Sequence, residues 1–577
     1  MSLSRAHQVL AACVRGGMSA SAGPRYFGMI WTRDLAIVAP AYVKGGFRAE
    51  LRAAVRALCD AQSTDTSESY TNGYETFCRY GQVPIVCVPD TDAATCGFLI
   101  QRIVGTREDP YWAWQLLDYC RQPHVDMDWR TFPHPWKKES IAHGSEETVT
   151  EQLSRFATDA EAFTPSVELR TRLLAWYAEL QAMHKRLVHT AVEPELVPRA
   201  SFALESYMEG RLADLTAGTR DSEIHLVRAM GTLYDAYSDE PATQTEIWGE
   251  CAPALVRALV YLFGQVVVDA DEGLPRGADS RDIFSDLMYD AHLLSNACYL
   301  HQVFDRLIGW SRLLALERGS FYGAMLTESC YPIIGRARDR NTFFDKLVQA
   351  ILELQSEDNV AVLLTQARDE LAHKIRQVFF PPPPPGAAPR DFVPGKRAAL
   401  TFVAPIKASP SNHLIGKYEP DFAKGTVIDP QGVALALLQN LVPEAWLTPQ
   451  VGCRQVWLGV PLLNALKQHD SAIGITQFVP ISGKSQAESR ALEQLKGRVV
   501  WPHISWLLVR ALEHLALTHP NCGAQELADQ QRAKLHIHLG DGCGEWYGYD
   551  AMTTQQVIQG GDPQQAWSAA GIVLSSQ

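Results

Sequence analysis

Apolar residues recur three and four apart in segments of a dozen or so, and Gly, Pro or Asn interrupts each segment before the next begins. That period is one face of an amphipathic helix, so the chain is constrained to bury helix against helix. Asp34–Val43 stops at Gly45-Gly46 and the period resumes over Arg48–Gln62, which predicts a helical hairpin. The cadence returns at Asp92–Val104 with Tyr111–Cys120, at Val167–Val188, Ala252–Val268, Asp290–Leu316, Thr342–Leu354, Val360–Phe379, Gly432–Gln439 and Ile504–Leu517. Strand-like alternation is confined to pieces such as Ala399–Ile406 and Leu535–Leu539. An all-α architecture with long loops and a few short strands is expected.

The 577 residues, 46% of them hydrophobic, suffice for one very large core or for two to three ordinary ones. A single domain over 1–577 is the expectation, with a helical insertion at about 120–250, where an acidic, His-rich stretch from His124 to Glu151 loses the period. The five prolines of Pro381–Pro385, followed by Gly386-Ala-Ala-Pro389, form a stiff extended crossing on the surface rather than a boundary.

Charge and cysteine usage exclude several classes. With 52 basic against 65 acidic residues the net charge is −13, which argues against nucleic acid as a partner and suits a neutral small molecule. Twelve cysteines stand singly, without a Cys-x-x-Cys pair, and read as reduced, mostly buried thiols. Leu10-Ala-Ala-Cys13 looks like a lipoprotein cleavage site, but His7 and Gln8 leave no apolar stretch before it, so the string is read as chance. No apolar run reaches the roughly 20 residues of a membrane span, and a soluble, cytoplasmic protein is expected.

Three acidic clusters carry the chemistry: Met29-Ile-Trp31-Thr-Arg33-Asp34, Gly277-Ala-Asp279-Ser-Arg281-Asp282 and Gly544-Glu545-Trp546-Tyr547, the last followed by Gln564-Gln565-Ala-Trp567-Ser568. Carboxylates interleaved with aromatic rings suit a sugar, because flat apolar faces stack on a pyranose and paired acids break its glycosidic bond. Hydrolysis with inversion needs a protonated acid and a carboxylate about 6.5–9.5 Å apart. Asp279 and Asp282 share one glycine- and proline-bearing loop, and either can supply a carboxyl. Glu545 stands among glycines that permit close approach of a ligand, with Trp546, Tyr547 and Tyr549 as stacking faces. Asp34 beside Arg33, the pair Asp90 and Asp92, and Trp501 with His503 each stand at the start of an apolar helix, where capping and sugar binding are compatible. His536-x-His538 lacks the further ligands of a metal site and reads as structural, and no phosphate loop or nucleophile elbow is present. Neither a metal nor a cofactor is expected.

Read in order, these clusters resemble the (α/α)6-barrel glycoside hydrolases, particularly the amylo-α-1,6-glucosidase part of glycogen-debranching enzymes and the processing α-glucosidases. Trp31-Thr-Arg-Asp34 is similar to that family's Trp-Gly-Arg-Asp. Gly81-Gln-Val-Pro84 with Asp90-Thr-Asp-Ala-Ala-Thr95 resembles its Ile-Pro-Asn and Asn-Thr-Val-Asp-Ala-Thr stretch. Gly497-Arg-Val-Val-Trp-Pro502 resembles Gly-Thr-Val-Trp-Pro, and Asp562-Pro-Gln-Gln-Ala-Trp-Ser568 its closing Cys-Pro-x-Gln-Ala-Trp-Ser. Gly277-Ala-Asp-Ser-Arg281 stands closer to the Ser-Gly-x-Asp-x-x-x-Arg of processing glucosidases than to the Thr-Trp-Met-Asp-Ala of debranching enzymes.

The resemblance implies a six-hairpin toroid and an inverting, metal-free reaction on an α-linked glucoside or short oligosaccharide, with Asp279 as acid and Glu545 as base. It also implies that Trp31, Arg33, Asp34, Asp92, Trp501, Gln565 and Trp567 surround the terminal sugar. Three alternatives stay open: a sucrose-cleaving enzyme of the invertase type, a barrel that binds sugar without chemistry, and an epimerase using histidines such as His292, His301 and His503.

Overall fold

The protein is described by a computed structural model over residues 3–15, 17–22, 30–62, 64, 68–71, 75–78, 80, 81, 83, 86, 87, 221–264, 274, 275, 294–317, 319, 320, 335, 338, 339, 341–354, 357–380, 429–448, 460–468, 470–475, 499–539, 543–549, 557–560 and 564–575. Helix dominates these residues, as the period predicts. The first half supplies α1 (Leu3–Arg15), α2 (Thr32–Lys44), α3 (Arg48–Asp60), α4 (Ser222–Ala236), α5 (Pro241–Gly264), α6 (Leu294–Gly309) and α7 (Ser311–Leu316). The second half supplies α8 (Thr342–Gln349), continued by a π-helical turn over Ala350–Leu354, then α9 (Glu357–Phe379), α10 (Pro430–Leu438), α11 (Glu444–Leu447), α12 (Pro461–Gln468), α13 (Pro502–Thr518), α14 (Ala524–Leu539) and α15 (Ala566–Ser575).

The helices are of two kinds, and their composition separates them. Along α2, α4, α6, α10, α13 and α15 burial extends round most of the helix, as in the Pro-Gln-Gly-Val-Ala-Leu-Ala-Leu-Leu of α10. Around α3 and α9 burial follows one stripe, Leu51, Ala54, Val55, Leu58 and Cys59 in the first and Val360, Leu364, Leu371, Ala372 and Ile375 in the second. A helix apolar all round must be enclosed by other helices, whereas a striped one can face water. The enclosed helices pack in succession, α2 on α4, α4 on α6, α6 on α10, α10 on α13, α13 on α15, and α15 back on α2. The striped α3, α9, α14 and α1 lie against α4, α6, α13 and α15 respectively, and α5, buried nearly all round from Cys251 on, also lies against α4.

The predicted hairpin of α2 and α3 is present. Gly46, at φ +84°, closes α2, and the amide of Phe47 donates to the Tyr42 carbonyl at 2.9 Å. Four further readings need adjustment. Leu535–Leu539, expected as a strand, is the last turn of α14, because Leu527, Gln531 and Leu535 continue one buried face at a spacing of four while Ile537 points to water. The helix expected from Ala252 starts at Pro241 and carries Pro253 inside it. Asp290–Leu316 is divided at Trp310, whose ring makes edge contacts with Tyr234 and Trp248. Of the stretch read as an insertion, residues 222–250 form α4 and the start of α5, and α4 packs among the enclosed helices. The Pro-rich crossing and the predicted segments at 92–104, 111–120, 167–188 and 399–406 lie outside the described residues.

Short strands lead directly into two of the enclosed helices, α2 and α13. β1 (Ile30–Trp31) leads into α2; β2 (Glu68–Thr71) and β3 (Glu75–Cys78) form a hairpin; β4 (Val86–Cys87) pairs antiparallel with β1, Trp31 opposite Val86. β5 (Asp470–Ser471) pairs with β6 (Gly474–Ile475), and β7 (Val499–Val500), β8 (Trp546–Tyr549) and β9 (Val557–Gly560) make one antiparallel sheet, β8 central. Among the described residues no helix is long and apolar enough to cross a membrane. Cys13, Cys59, Cys251, Cys298, Cys522 and Cys543 are free thiols, all but Cys522 buried.

Close helix approach depends on small residues. A Cβ on Gly571 of α15 would collide with the ring of Trp506, itself buried on α13. Gly571→Ala is therefore expected to destabilise the protein by about 1–3 kcal/mol through overpacking, read as a lowered midpoint in urea unfolding; an unchanged midpoint would show that the two helices can part without cost.

Candidate functional site

Most of the buried polar side chains sit in or just before the first turns of the enclosed helices: Thr32 and Asp34 on α2, Asp221, Glu223 and His225 at α4, Ser295 and Asn296 on α6, Asp429 and Gln431 at α10, His503 and Ser505 on α13, Gln565 and Ser568 at α15. Contacts join these starts to one another. Asp429 accepts from the amide of Gly432 in its own helix at 2.8 Å and from the amide of Ser295 at the start of α6 at 3.0 Å. Gln431 donates to the Tyr299 hydroxyl at 2.6 Å, and the Gln565 amide faces Asp34 at 3.5 Å. Neighbouring helices thus begin side by side. The first amides of a helix have no partner within the helix itself, which favours acidic and hydroxyl groups at that end.

Aromatic side chains gather between α13 and α15. The rings of His503 and Trp567 stack at 4.4 Å and 20°, and Trp501 meets Trp567 edge-on at 5.5 Å. Trp31, the last residue of β1, and Trp501, the residue after β7, occupy similar places, each extended and immediately before a buried helix. The indole nitrogens of Trp501 and Trp567 and the side-chain oxygen of Gln565 are buried and meet no hydrogen-bond partner among the described residues. Two donors and one acceptor at one place are the complement of a hydroxylated ligand.

Glu545, only 3% exposed, is brought to this place by backbone pairing. Cys543 bridges Gln564, the Gln565 amide donates to the Cys543 carbonyl at 2.7 Å, and the Ser568 hydroxyl donates to the Gly544 carbonyl at 2.7 Å. The same segment is tied to the amino-terminal part of the chain, since Ser21 bridges Gln565 and the Ala566 amide donates to Ala20. On its other side β8 pairs with β7, Val500 opposite Tyr547, which sets Trp501 one residue beyond that pair. Glu545, Gln565, Trp567, Trp501, His503 and Asp34 are therefore held by one connected frame. Trp546 is partly buried against the core. The Tyr547 hydroxyl donates to the Ile473 carbonyl at 3.1 Å, and its ring stacks on His538 at 5.6 Å. Burial pushes the Tyr547 phenol well above its ordinary value.

A network that the motifs did not announce lies at the start of α4. Arg33 donates to Asp221 Oδ2 through Nε at 3.0 Å and approaches the same oxygen through a terminal nitrogen at 2.9 Å. Arg228, which can only donate, lies 2.9 Å from His225 Nδ1, so that nitrogen accepts and the ring proton is on Nε2, 3.4 Å from Asp221 but outside hydrogen-bond geometry. Burial holds His225 neutral, its pKa lowered to about 4 against the opposing pull of Asp221. The Arg228 guanidinium lies 4.0 Å over the Tyr299 ring and donates to Gln302 at 3.0 Å. A sequence signal existed: Asp221-Ser-Glu223 precedes an apolar helix much as Trp31-Thr-Arg-Asp34 does.

Asp279, Asp282, Asp90 and Asp92 lie outside the described residues, as does His292. His301, one of the three histidines that keep the epimerase open, sits in the second turn of α6 and bonds Gln439 at 2.9 Å. No group of three or more metal-ligating side chains occurs among the described residues. Compared with known proteins, the chain matches no family model, no curated protein and no solved structure.

Proposed function

We propose that the protein is an inverting glycoside hydrolase on an (α/α)6 toroid, cleaving an α-linked glucoside or short oligosaccharide. The cyclic packing of six enclosed helices, with striped helices against them and their starts gathered at one end, supports the toroid. The observation that carries the activity is the pairing of Cys543–Glu545 with Gln564–Gln565. Through it a buried carboxylate joins an aromatic cluster and Asp34, from chain segments hundreds of residues apart.

In this reading Glu545 takes a proton from water as the water oxygen attacks the anomeric carbon. Asp279 gives its proton to the departing glycosidic oxygen, and the anomeric configuration inverts. Trp567 and Trp501 offer their faces and indole N–H groups to the terminal sugar, Gln565 offers its oxygen, and Arg33 and Asp34 complete the polar rim. The substrate is a small neutral carbohydrate, in keeping with the net charge of −13.

The test is proton NMR during incubation with sucrose, maltose, isomaltose and trehalose in turn. Glucose appearing first as the β-anomer from one of them is expected. First appearance as the α-anomer would refute inversion, an isomerised sugar without bond cleavage would establish the epimerase, and no change in any of the four would defeat the hydrolase.

A further inference from the structure

Two acids at the start of α4 each hold one of the two chain segments that meet at one end of the β1–β4 ribbon. Asp221 holds Arg33, two residues after Trp31 at the end of β1. Glu223, wholly buried, accepts the amide of Val83, three residues before β4, at 2.8 Å. Its other carboxyl oxygen is buried and meets no partner among the described residues. The turn that presents Val83 is seated from the opposite side too. Gln62 donates to the Gly81 carbonyl at 2.8 Å and to Ala254 at 3.1 Å, and Arg257 holds Gln62 at 2.9 Å. Gly81, at φ +85°, lies against the Arg257 carbonyl so closely that no Cβ fits.

We propose that Glu223 is a positioning residue which, with Asp221, clasps both chain segments at one end of the β1–β4 ribbon and so sets Trp31 in the site. The pair reaches the site through the backbone: Val83 leads into β4, Val86 pairs with Trp31, and Trp31 precedes Arg33 and Asp34. The clasp does not depend on the sugar reading.

The carboxyl acts as a neutral acid. Burial, with a smaller contribution from Asp221, raises its pKa to about 8 against the pull of the Val83 amide and its own. Titratable groups on the elements around this turn include Asp221 just ahead of α4, His225 and Arg228 on α4, Arg33 and Asp34 on α2, Cys59 and Asp60 on α3, Arg257 and Tyr261 on α5, and Cys298 and Tyr299 on α6. The sign follows from linkage. A carboxyl with an ordinary pKa when exposed and about 8 when enclosed binds a proton on enclosure between those values. Opening of the ribbon therefore becomes easier as pH rises from about 4.5 to about 8, by up to about tenfold per pH unit, and levels off above.

The experiment is hydrogen exchange with mass spectrometry on the whole chain, corrected for intrinsic rates, on peptides covering 80–88 and 29–34 at pH 5 and pH 8. Wild type, Glu223→Gln and Glu223→Ala are compared, with peptides from α9 as the internal reference. Wild type is expected to lose protection in both ribbon peptides between pH 5 and 8, at least tenfold more than in α9. Glu223→Gln, which retains an oxygen for Val83 and does not titrate, should keep its protection at both pH values. Glu223→Ala should exchange fast at both. A wild-type ribbon indifferent to pH, or a Glu223→Gln variant with the wild-type pH response, would overturn the proposal even if the alanine variant failed to fold. These readouts need no turnover, so failure of the hydrolase reading would leave them intact.

Discussion

Glu545→Gln should lower turnover by about 10²–10⁴-fold, the usual contribution of a general base, while the protein keeps its affinity for sugar. The substitution preserves shape and removes only the ability to take a proton. Backbone and Ser568 hold the segment that carries the residue: Gln565 on Cys543, Ser568 on Gly544, Tyr547 opposite Val500. Folding should therefore survive. Glucose release gives the rate and calorimetric titration the binding. Equal loss of both would assign Glu545 to binding alone, and undiminished hydrolysis would remove it from the chemistry.

Asp221→Ala should destabilise the protein by about 3–5 kcal/mol, the cost of leaving one member of a buried ion pair without the other. Asp221 is 2% exposed and the Arg33 side chain 13%, so water screens the pair little. The loss would leave the guanidinium beside the amino-terminal ends of α2 and α4, where the helix dipoles oppose a cation. His225, already neutral at 0% exposure, would lose the nearby carboxylate that opposes its low pKa. Urea unfolding at neutral pH measures the effect. A change under about 1 kcal/mol, typical of exposed pairs, would mean that Arg33 reaches solvent once Asp221 is gone. Arg33 is also one of the residues proposed at the sugar, so the same variant is expected to weaken binding.

The helical character was legible because burial imposes a period that any stretch of a dozen residues displays. Thr342, Arg48 and Phe379 are bounds read from that period and found at helix ends. The failures have equally local causes. Leu-His-Ile-His-Leu alternates like a strand, but its first Leu continues the buried face of α14. Ala252, read as a beginning, lies with Pro253 inside α5, whose preceding turns are polar and exposed on much of their surface. Of the candidate site, Trp31, Asp34, Trp501, His503, Gln565 and Trp567 carried a readable signal, polar and aromatic residues at the starts of apolar helices, and Glu545 another, an acid among glycines and aromatic rings. Asp221, Glu223 and His225 carried less, because α4 was read as part of an insertion.

The sequence by itself determined which segments are helices and which are enclosed, since a helix without a polar face has no stable place in water. It also determined that acids and aromatics stand at helix starts. Only the tertiary structure decided which starts are neighbours: that Gln565 faces Asp34, that His503 stacks on Trp567 rather than on Trp501, that Tyr547 turns to Ile473, and that Asp221 and Glu223 hold the two chain segments at one end of a ribbon. The physical reason is range. Period and capping act within a turn or two along the chain, whereas these contacts join residues separated by 64 to 531 positions and exist only once the helices have packed.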